Sequence, residues 1–147
     1  MIYTAAVITV SDKGSVGERV DTGGPLVAKM LTDAGYDVVY TSIVPDERDR
    51  ISRELIKCAD ELGVALAVTT GGTGFSPRDV TPEATMAVVE RPTPGIPEAM
   101  RQASALVTNR AMLTRAWRDA QGRALSMLSA ASDEVVRLFC GIPTRLK

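Results

Sequence analysis

Val64-Ala65-Leu66-Ala67-Val68-Thr69-Thr70-Gly71-Gly72-Thr73-Gly74 is the stretch on which the fold turns. It carries no charge from Val64 to Thr70 and then runs straight into glycines. A strand with one wet face alternates apolar and polar residues, whereas a continuous apolar run must be covered on both faces, as a central strand of a parallel sheet is. Upstream, Ile2 to Val10 is a second apolar, β-branched run, closed by the polar loop Ser11 to Gly24. Pro25 to Ala34 places Leu26, Val27, Met30 and Leu31 on one helical face, and Gly35 supplies the stop. Asp37 to Val44 reads as a strand, and Pro45-Asp46-Glu47 opens a helix whose inward stripe is Ile51, Leu55, Ile56, Cys58, Ala59 and Leu62, with Gly63 ending it.

Downstream of the glycine turn, Thr81 reads as an N-cap, Pro82 fits the first helical position and Glu83 suits the positive end of the helix dipole. This helix runs through Val89, and another covers Ile96 to Leu106 beyond the connector RPTPG. Farther on, Ala111 to Ala116 and Arg123 to Leu128 read as short strands around Asp119 to Gly122, and Ser132 to Cys140 as a closing helix. Strands alternating with helices predict an α/β fold, a three-layer αβα sandwich on a mostly parallel central sheet. With 147 residues and no linker or repeat, the chain is expected to be a single domain spanning residues 1–147.

Composition narrows the chemistry. Hydrophobic residues are 45% and charged residues 24%, values of a folded globular chain rather than a disordered or disulfide-stapled one. There is no histidine, so imidazole bases, Ser-His-Asp arrangements and His-based metal sites are excluded. Acid–base and metal chemistry must come from carboxylates. Lys and Arg total 17 against 18 Asp and Glu, which gives no overall field to draw in a nucleic acid or an anionic membrane, so neither is an expected partner. The two cysteines, Cys58 and Cys140, lack a zinc spacing and read as inert thiols. No apolar stretch approaches the roughly 20 residues needed to cross a bilayer, and no basic leader precedes the first apolar run, so the expected location is the cytoplasm.

In open parallel sheets, ligands bind beyond the carboxyl ends of the strands, so the loops Ser11 to Gly24, Pro45 to Glu47 and Thr70 to Thr81 are expected to share one rim. The turn Thr70-Gly71-Gly72-Thr73-Gly74 lets backbone approach a ligand and aims N–H groups at phosphate oxygens, with threonine hydroxyls as neutral donors. A tight strand-to-helix turn that binds nothing uses the same residues. It is not a P-loop, because no Gly-Lys-Ser/Thr follows. Phe75-Ser76-Pro77-Arg78-Asp79 then sets a cation and a carboxylate beside the glycines. Arg78 suits a phosphate, and Asp79 suits one only with a metal ion between them, which points to Mg²⁺; the alternative for Asp79 is a turn-stabilising cap. Asp46 is either the N-cap of its helix or a second carboxylate on the rim. Ser11 and Asp12 either meet a ligand or order their own loop.

Taken together, the ITVSD loop (Ser11, Asp12), DTGGP (Asp21 to Pro25), VPDE (Asp46) and above all TTGGTGFSPRDVTPEAT resemble the MogA/MoaB family of molybdenum-cofactor biosynthesis proteins, over Met1 to about Ala116. The resemblance implies Mg²⁺-dependent adenylylation of molybdopterin by ATP, with release of pyrophosphate, usually in a homotrimer. By motif it assigns Asp46 and Asp79 as the functional, metal-binding carboxylates. The turn Thr70, Gly71, Gly72, Thr73 and Gly74 becomes the ligand cradle, flanked by Ser11, Asp12, Ser76 and Arg78. The sequence departs from the family at one place. An Asn-Leu-Pro-Gly-Ser-Pro type loop that lines the pterin pocket is replaced by Leu125-Ser126-Met127-Leu128-Ser129-Ala130-Ala131-Ser132-Asp133-Glu134. That departure opens an alternative to the enzyme, a catalytically weak molybdopterin-binding or assembly protein of the same fold. A related domain acting on another nucleotide or pterin is the third reading.

Overall fold

A computed structural model of the chain describes residues 2–108, Arg115, and the backbone of residues 136–139 and 142–145. The elements in order are β1 (Thr4–Val10), α1 (Asp12–Ser15), α2 (Gly23–Asp33), β2 (Asp37–Val44), α3 (Arg48–Ile56), β3 (Leu66–Thr70), α4 (Thr81–Met86), α5 (Gly95–Ala105), β4 (Val136–Phe139) and β5 (Ile142–Arg145). Strands β2, β1 and β3 form a parallel sheet in that order, with β1 in the middle. The expected αβα layering is present. Ala6, Ile8 and Val10 of β1 pack with Ile51, Leu55, Cys58 and Ala84 of α3, its extension and α4 on one face. Ala5 and Val7 pack with Leu31 of α2 and with Leu66 and Val68 on the other. β1 thus has no wet face, as its uninterrupted apolar run requires. Each such Val, Leu or Ile contributes about 1.5–3 kcal/mol when fully buried.

Two stripes are narrower than the sequence suggested. Leu26 of α2 stands 59% exposed, and only Leu31, backed by Val27 and Ala28, meets the sheet. α3 continues through a wide π-helical turn, Lys57–Glu61, which breaks the 3.6-residue period. Ile51, Leu55 and Cys58 stay on the core side, while Ile56 and Leu62 come out to solvent. A second irregularity lies in β2. Ala5 pairs with Val38 but Ala6 pairs with Tyr40, so Val39 is an extra residue, a β-bulge. Val38 and Tyr40 are both even-numbered, yet Val38 joins the α2 face and Tyr40 the α3 face.

Three further expectations are corrected. Val80, not Thr81, is the N-cap of α4, because the Thr81 side chain turns back to the glycine turn. Glu47, not Asp46, occupies the N-cap of α3, and it makes no side-chain cap. Within the segment read as a closing helix, Val136–Phe139 is a strand, paired antiparallel with Ile142–Arg145 from Val136 opposite Arg145 to Phe139 opposite Ile142. Val135, Val136, Leu138 and Phe139 leave the period undecided over so short a run, and the two residues before Ile142, one of them Gly141, are hairpin-length punctuation. The expected strands at Ala111 to Ala116 and Arg123 to Leu128, apart from Arg115, and the segment Leu125 to Glu134 lie outside the described residues, as does Cys140. Among the described residues no helix is long and apolar enough to cross a membrane.

Candidate functional site

After β1 the chain leaves toward α2 on one face, and after β3 it leaves toward α4 on the other. The carboxyl ends of β1 and β3 are therefore a point where the chain's direction switches, which is where open parallel sheets bind ligands. The glycine turn sits there. Gly71 (φ +97°) and Gly72 (φ +61°) adopt left-handed backbone that glycine takes at little cost. Space demands glycine as well. A Cβ on Gly71 would lie 2.1 Å from the Val10 carbonyl oxygen, and one on Gly72 would lie 2.3 Å from Thr81 Oγ1 and 2.9 Å from Asp46 Oδ1. Thr81 closes the turn by donating its hydroxyl to Gly71 O (3.0 Å) and its N–H to Gly72 O (3.1 Å). The N–H groups of Gly72, Thr73, Gly74 and Phe75 make no hydrogen bond to another described residue.

Asp46 reaches this turn from the end of β2. Its Oδ2 accepts the Asp12 N–H (2.8 Å), and the Asp46 N–H in turn donates to Asp12 Oδ1 (3.0 Å), so the loops after β1 and β2 are clasped through each other's carboxylates. Arg78, from the loop after β3, completes the knot by donating Nε and Nη2 to the two Asp12 oxygens (2.9 and 2.6 Å). The Arg78 guanidinium holds the Asp12 carboxyl below the usual carboxylate range. Asp46 moves the other way: burial, reinforced by the negative charges of Asp12 and Asp79, pushes its carboxyl up against the pull of the Asp12 N–H and Arg78.

Asp79 flanks the other side of the turn. Its Oδ2 would lie 2.8 Å from a Cβ on Gly74 and accepts the Ser76 N–H (2.9 Å), so Asp79 does stabilise its own loop as well as facing the rim. Ser76 Oγ accepts the Arg78 N–H (3.3 Å). Ser11 caps the short α1 by accepting the Gly14 N–H (3.0 Å). Thr70 stands on the α2 face, its Oγ1 3.7 Å from where Gly23 would carry a Cβ, beside Asp21. Asp21 orders the start of α2, taking the Gly23 and Gly24 N–H groups (both 3.0 Å) and the Thr9 hydroxyl (2.7 Å).

One residue of this region carries no sequence motif. Arg115 donates Nε to Gly74 O (2.8 Å), Nη2 to Asp79 O and Nη1 to Glu83. Together with Phe75, Pro77, Val80, Asp79 and Glu83 it lines an open cleft of about 350 Å³. The only signal in the sequence is a cation within the apolar run Ala111-Met-Leu-Thr-Arg-Ala116. Among the described residues no three acidic or cysteine side chains converge as a ready-made metal cage. Asp46 and Asp79 still fit Mg²⁺ in the usual manner for this ion, one or two carboxylates completed by waters and substrate phosphates. Asp46 is pushed up first by burial and then by the charges of Asp12 and Asp79, and a nearby cation would offset that push.

The family model described as "Probable molybdopterin binding domain" matches residues 6–143. The chain belongs to this molybdopterin-binding domain family. Molybdopterin adenylyltransferase of Haemophilus influenzae is 42% identical over 111 residues, which are 74% of this chain and 56% of that protein. The molybdopterin biosynthesis enzyme MoaB of Thermus thermophilus has a similar structure, with a TM-score of 0.74 and 34% identity, covering 88% of this chain and 90% of that one. The tungsten cofactor synthesizing protein MoaB of Pyrococcus furiosus follows at a TM-score of 0.70 and 36% identity, covering 78% and 70% of the two chains. The chain spans a little over half the length of the curated adenylyltransferases it matches. The expected MogA/MoaB membership and αβα fold are thereby met.

Proposed function

We propose that the chain is a molybdopterin adenylyltransferase. The terminal phosphate of molybdopterin attacks the α-phosphorus of ATP, an O–P bond forms, the bond to the bridging oxygen breaks, and pyrophosphate leaves. The attacking phosphate is already anionic, so the reaction asks little of a base and much of charge management and positioning. One observation carries the reading: two carboxylates, Asp46 and Asp79, flank a glycine turn whose N–H groups from Gly72 to Phe75 are unspent among the described residues. In this reading those N–H groups, with the Thr70 and Thr73 hydroxyls, hold phosphate oxygens, and Asp46 and Asp79 hold Mg²⁺. When bound, Mg²⁺ supplies neutralisation of phosphate charge. Ser11 and Asp12 shape the rim, Ser76 orders the loop, and Arg78 is held by Asp12 at the edge of the anion site. A homotrimer belongs to the same proposal.

A second reading is favoured by the replacement of the pterin-pocket loop by Leu125 to Glu134, where neither Pro nor Gly stands. It keeps binding and loses turnover, leaving a weak or non-catalytic molybdopterin-binding protein. Incubation with molybdopterin, ATP and Mg²⁺ separates the two. Adenylylated pterin and pyrophosphate in equal amounts support the enzyme, whereas bound pterin that stays unmodified supports the second reading. Light scattering at micromolar concentration tests the trimer, and a single-chain mass throughout removes it.

A further inference from the structure

We infer that Arg115 is a positioning residue of this site, fixing the Gly74–Asp79 loop and through it the Asp79 carboxylate; the inference rests on the adenylyl-transfer reading above. Apart from the Arg78–Asp12 pair across the rim, the loop has little else to hold it. Phe75 is 70% exposed, and Ser76, Pro77 and Arg78 are also exposed, so apolar packing does not order the segment. Its internal ties are the Asp79 N–H on Ser76 O (2.9 Å), the Ser76 N–H on Asp79 Oδ2 and the Arg78 N–H on Ser76 Oγ. These shape the loop without tying its two ends to the body of the protein, and Arg78, bound to Asp12, holds only the stretch between them.

Arg115 supplies the anchor at the ends. One planar guanidinium takes the carbonyls at both mouths of the loop, Gly74 O and Asp79 O, and ties them to Glu83 in the first turn of α4. A rigid fork can meet three acceptors at once, which a lysine ammonium on a flexible stem cannot do with the same geometry. In a planar trans peptide the C=O and the following N–H point opposite ways, so holding Gly74 O and Asp79 O sets the directions of the Phe75 and Val80 N–H groups. The charge of Arg115 is matched by Glu83, and three of its five N–H donors, one from each nitrogen, go to protein oxygens at the ends of the loop, so the contacts it makes are those of a residue acting through Asp79. Arg78 differs, since its partner Asp12 lies across the rim and not at the loop's ends.

The test has two arms on the full chain. The first is amide hydrogen exchange of the ligand-free protein. In Arg115→Ala and Arg115→Lys the Ser76 and Asp79 amides should exchange at least about tenfold faster while β1 amides keep their protection; unchanged exchange at Ser76 and Asp79 overturns the inference. The second arm is steady-state adenylyl transfer. Arg115→Ala should lower kcat by about 100-fold, with KM for ATP within about threefold, as displacement of a catalytic group by an ångström does. Arg115→Lys should not restore the rate, and millimolar guanidinium ion should recover part of it in Arg115→Ala. Wild-type kcat in Arg115→Ala overturns the inference, as does a loss of kcat fully accounted for by the unfolded fraction. A wild-type chain that forms no product defeats the proposed function instead, and the exchange arm then decides the role of Arg115 alone. Should Arg115→Ala fail to fold, Glu83→Gln, which leaves both carbonyl ties in place, should speed the same two amides by a few-fold.

Discussion

Asp12, in the loop after β1, and Asp46, in the loop after β2, accept hydrogen bonds from each other's backbone, yet their surroundings drive them in opposite directions. Asp12 is saturated: both of its oxygens take Arg78, and its charge is fully matched. Asp46 has no cation of its own, is more buried, and faces two further carboxylates. The lesson is that neighbouring acids of one rim can divide labour, one as a strut between loops and the other as an unbalanced charge left for a ligand to satisfy. Pairs of titratable groups pushed apart by their environments are a recurring mark of working sites.

The comparison breaks most visibly in catalysis. Asp46→Asn and Asp79→Asn should each reduce adenylyl transfer by about 10²–10³-fold under saturating Mg²⁺, while Asp12→Asn should cost far less. Equal losses at Asp12 and Asp46 would show that the two acids do the same work. Melting temperature should separate them in the reverse order, because removing the charge of Asp46 relieves repulsion and removing that of Asp12 breaks an ion pair.

Next in size is the glycine turn both acids depend on. Gly71→Ala should destabilise by at least about 2 kcal/mol, from positive φ and a backbone collision together, in urea unfolding. Gly63→Ala shares the positive φ (+58°) but meets open space, and should cost about 1 kcal/mol. Gly72→Ala should lose stability and ligand affinity together, since its Cβ would push on Thr81 and on Asp46 itself. Loss of affinity alone would mean that the space above Gly72 belongs to the ligand.

A smaller effect reads the Asp12 strut. A carboxylate held below its ordinary value of 3.8 contributes stability at higher pH that disappears as pH falls through its folded-state value. The stability difference between wild type and Arg78→Ala should therefore be present at pH 6 and shrink as the solution is taken below pH 3.8. A difference that stays constant over that acid range would mean that the guanidinium acts by packing rather than by charge.

Smallest is a control from the core. Burial pushes the Cys58 thiol up to about 11 from an ordinary 9.0. A raised value in the folded state means stability that is complete below pH 9 and lost between pH 9 and about 11, so Cys58→Ala should flatten that alkaline decline. Native protein should also react with thiol reagents at Cys58 only as fast as it unfolds.

The sheet was legible because β1 and β3 are short, uncharged runs rich in Val, Ile, Ala and Thr, too short for a helix and, at β3, closed by glycines. The rim was legible for the same reason: once strands are placed, their following loops are placed too. Asp79 stood out as a carboxylate beside the glycine turn, and Asp46 as one that follows the second strand on the same rim. The division of labour between Asp12 and Asp46 was not legible, since it depends on Arg78 crossing from a third loop, a contact spanning 66 positions. Arg115 escaped because nothing local marks it; its three acceptors are two main-chain oxygens and Glu83, and main-chain carbonyls have no sequence signature. The short α1 was hidden in a polar loop, and Thr81 looked like a cap because a hydroxyl before a proline usually is one. The wide turn after α3 and the bulge in β2 interrupt periods that sequence reading takes to be unbroken.

That bulge makes the strand one link longer than its pairing needs. Val39, 49% exposed, faces no residue of β1, while Val38 and Tyr40 on either side of it are matched to consecutive positions, Ala5 and Ala6. A chain shortened by one residue at Val39 would keep every pairing from Thr41 to Val44 and deliver Asp46 to Asp12 unchanged. The same deletion at Thr41 would slide the remainder of β2 by one step, turn Val44 to the wrong face and draw Asp46 away from the rim. Slack at the entry to β2 and none at its exit is how a sheet can absorb a change in length without passing it to the chemistry.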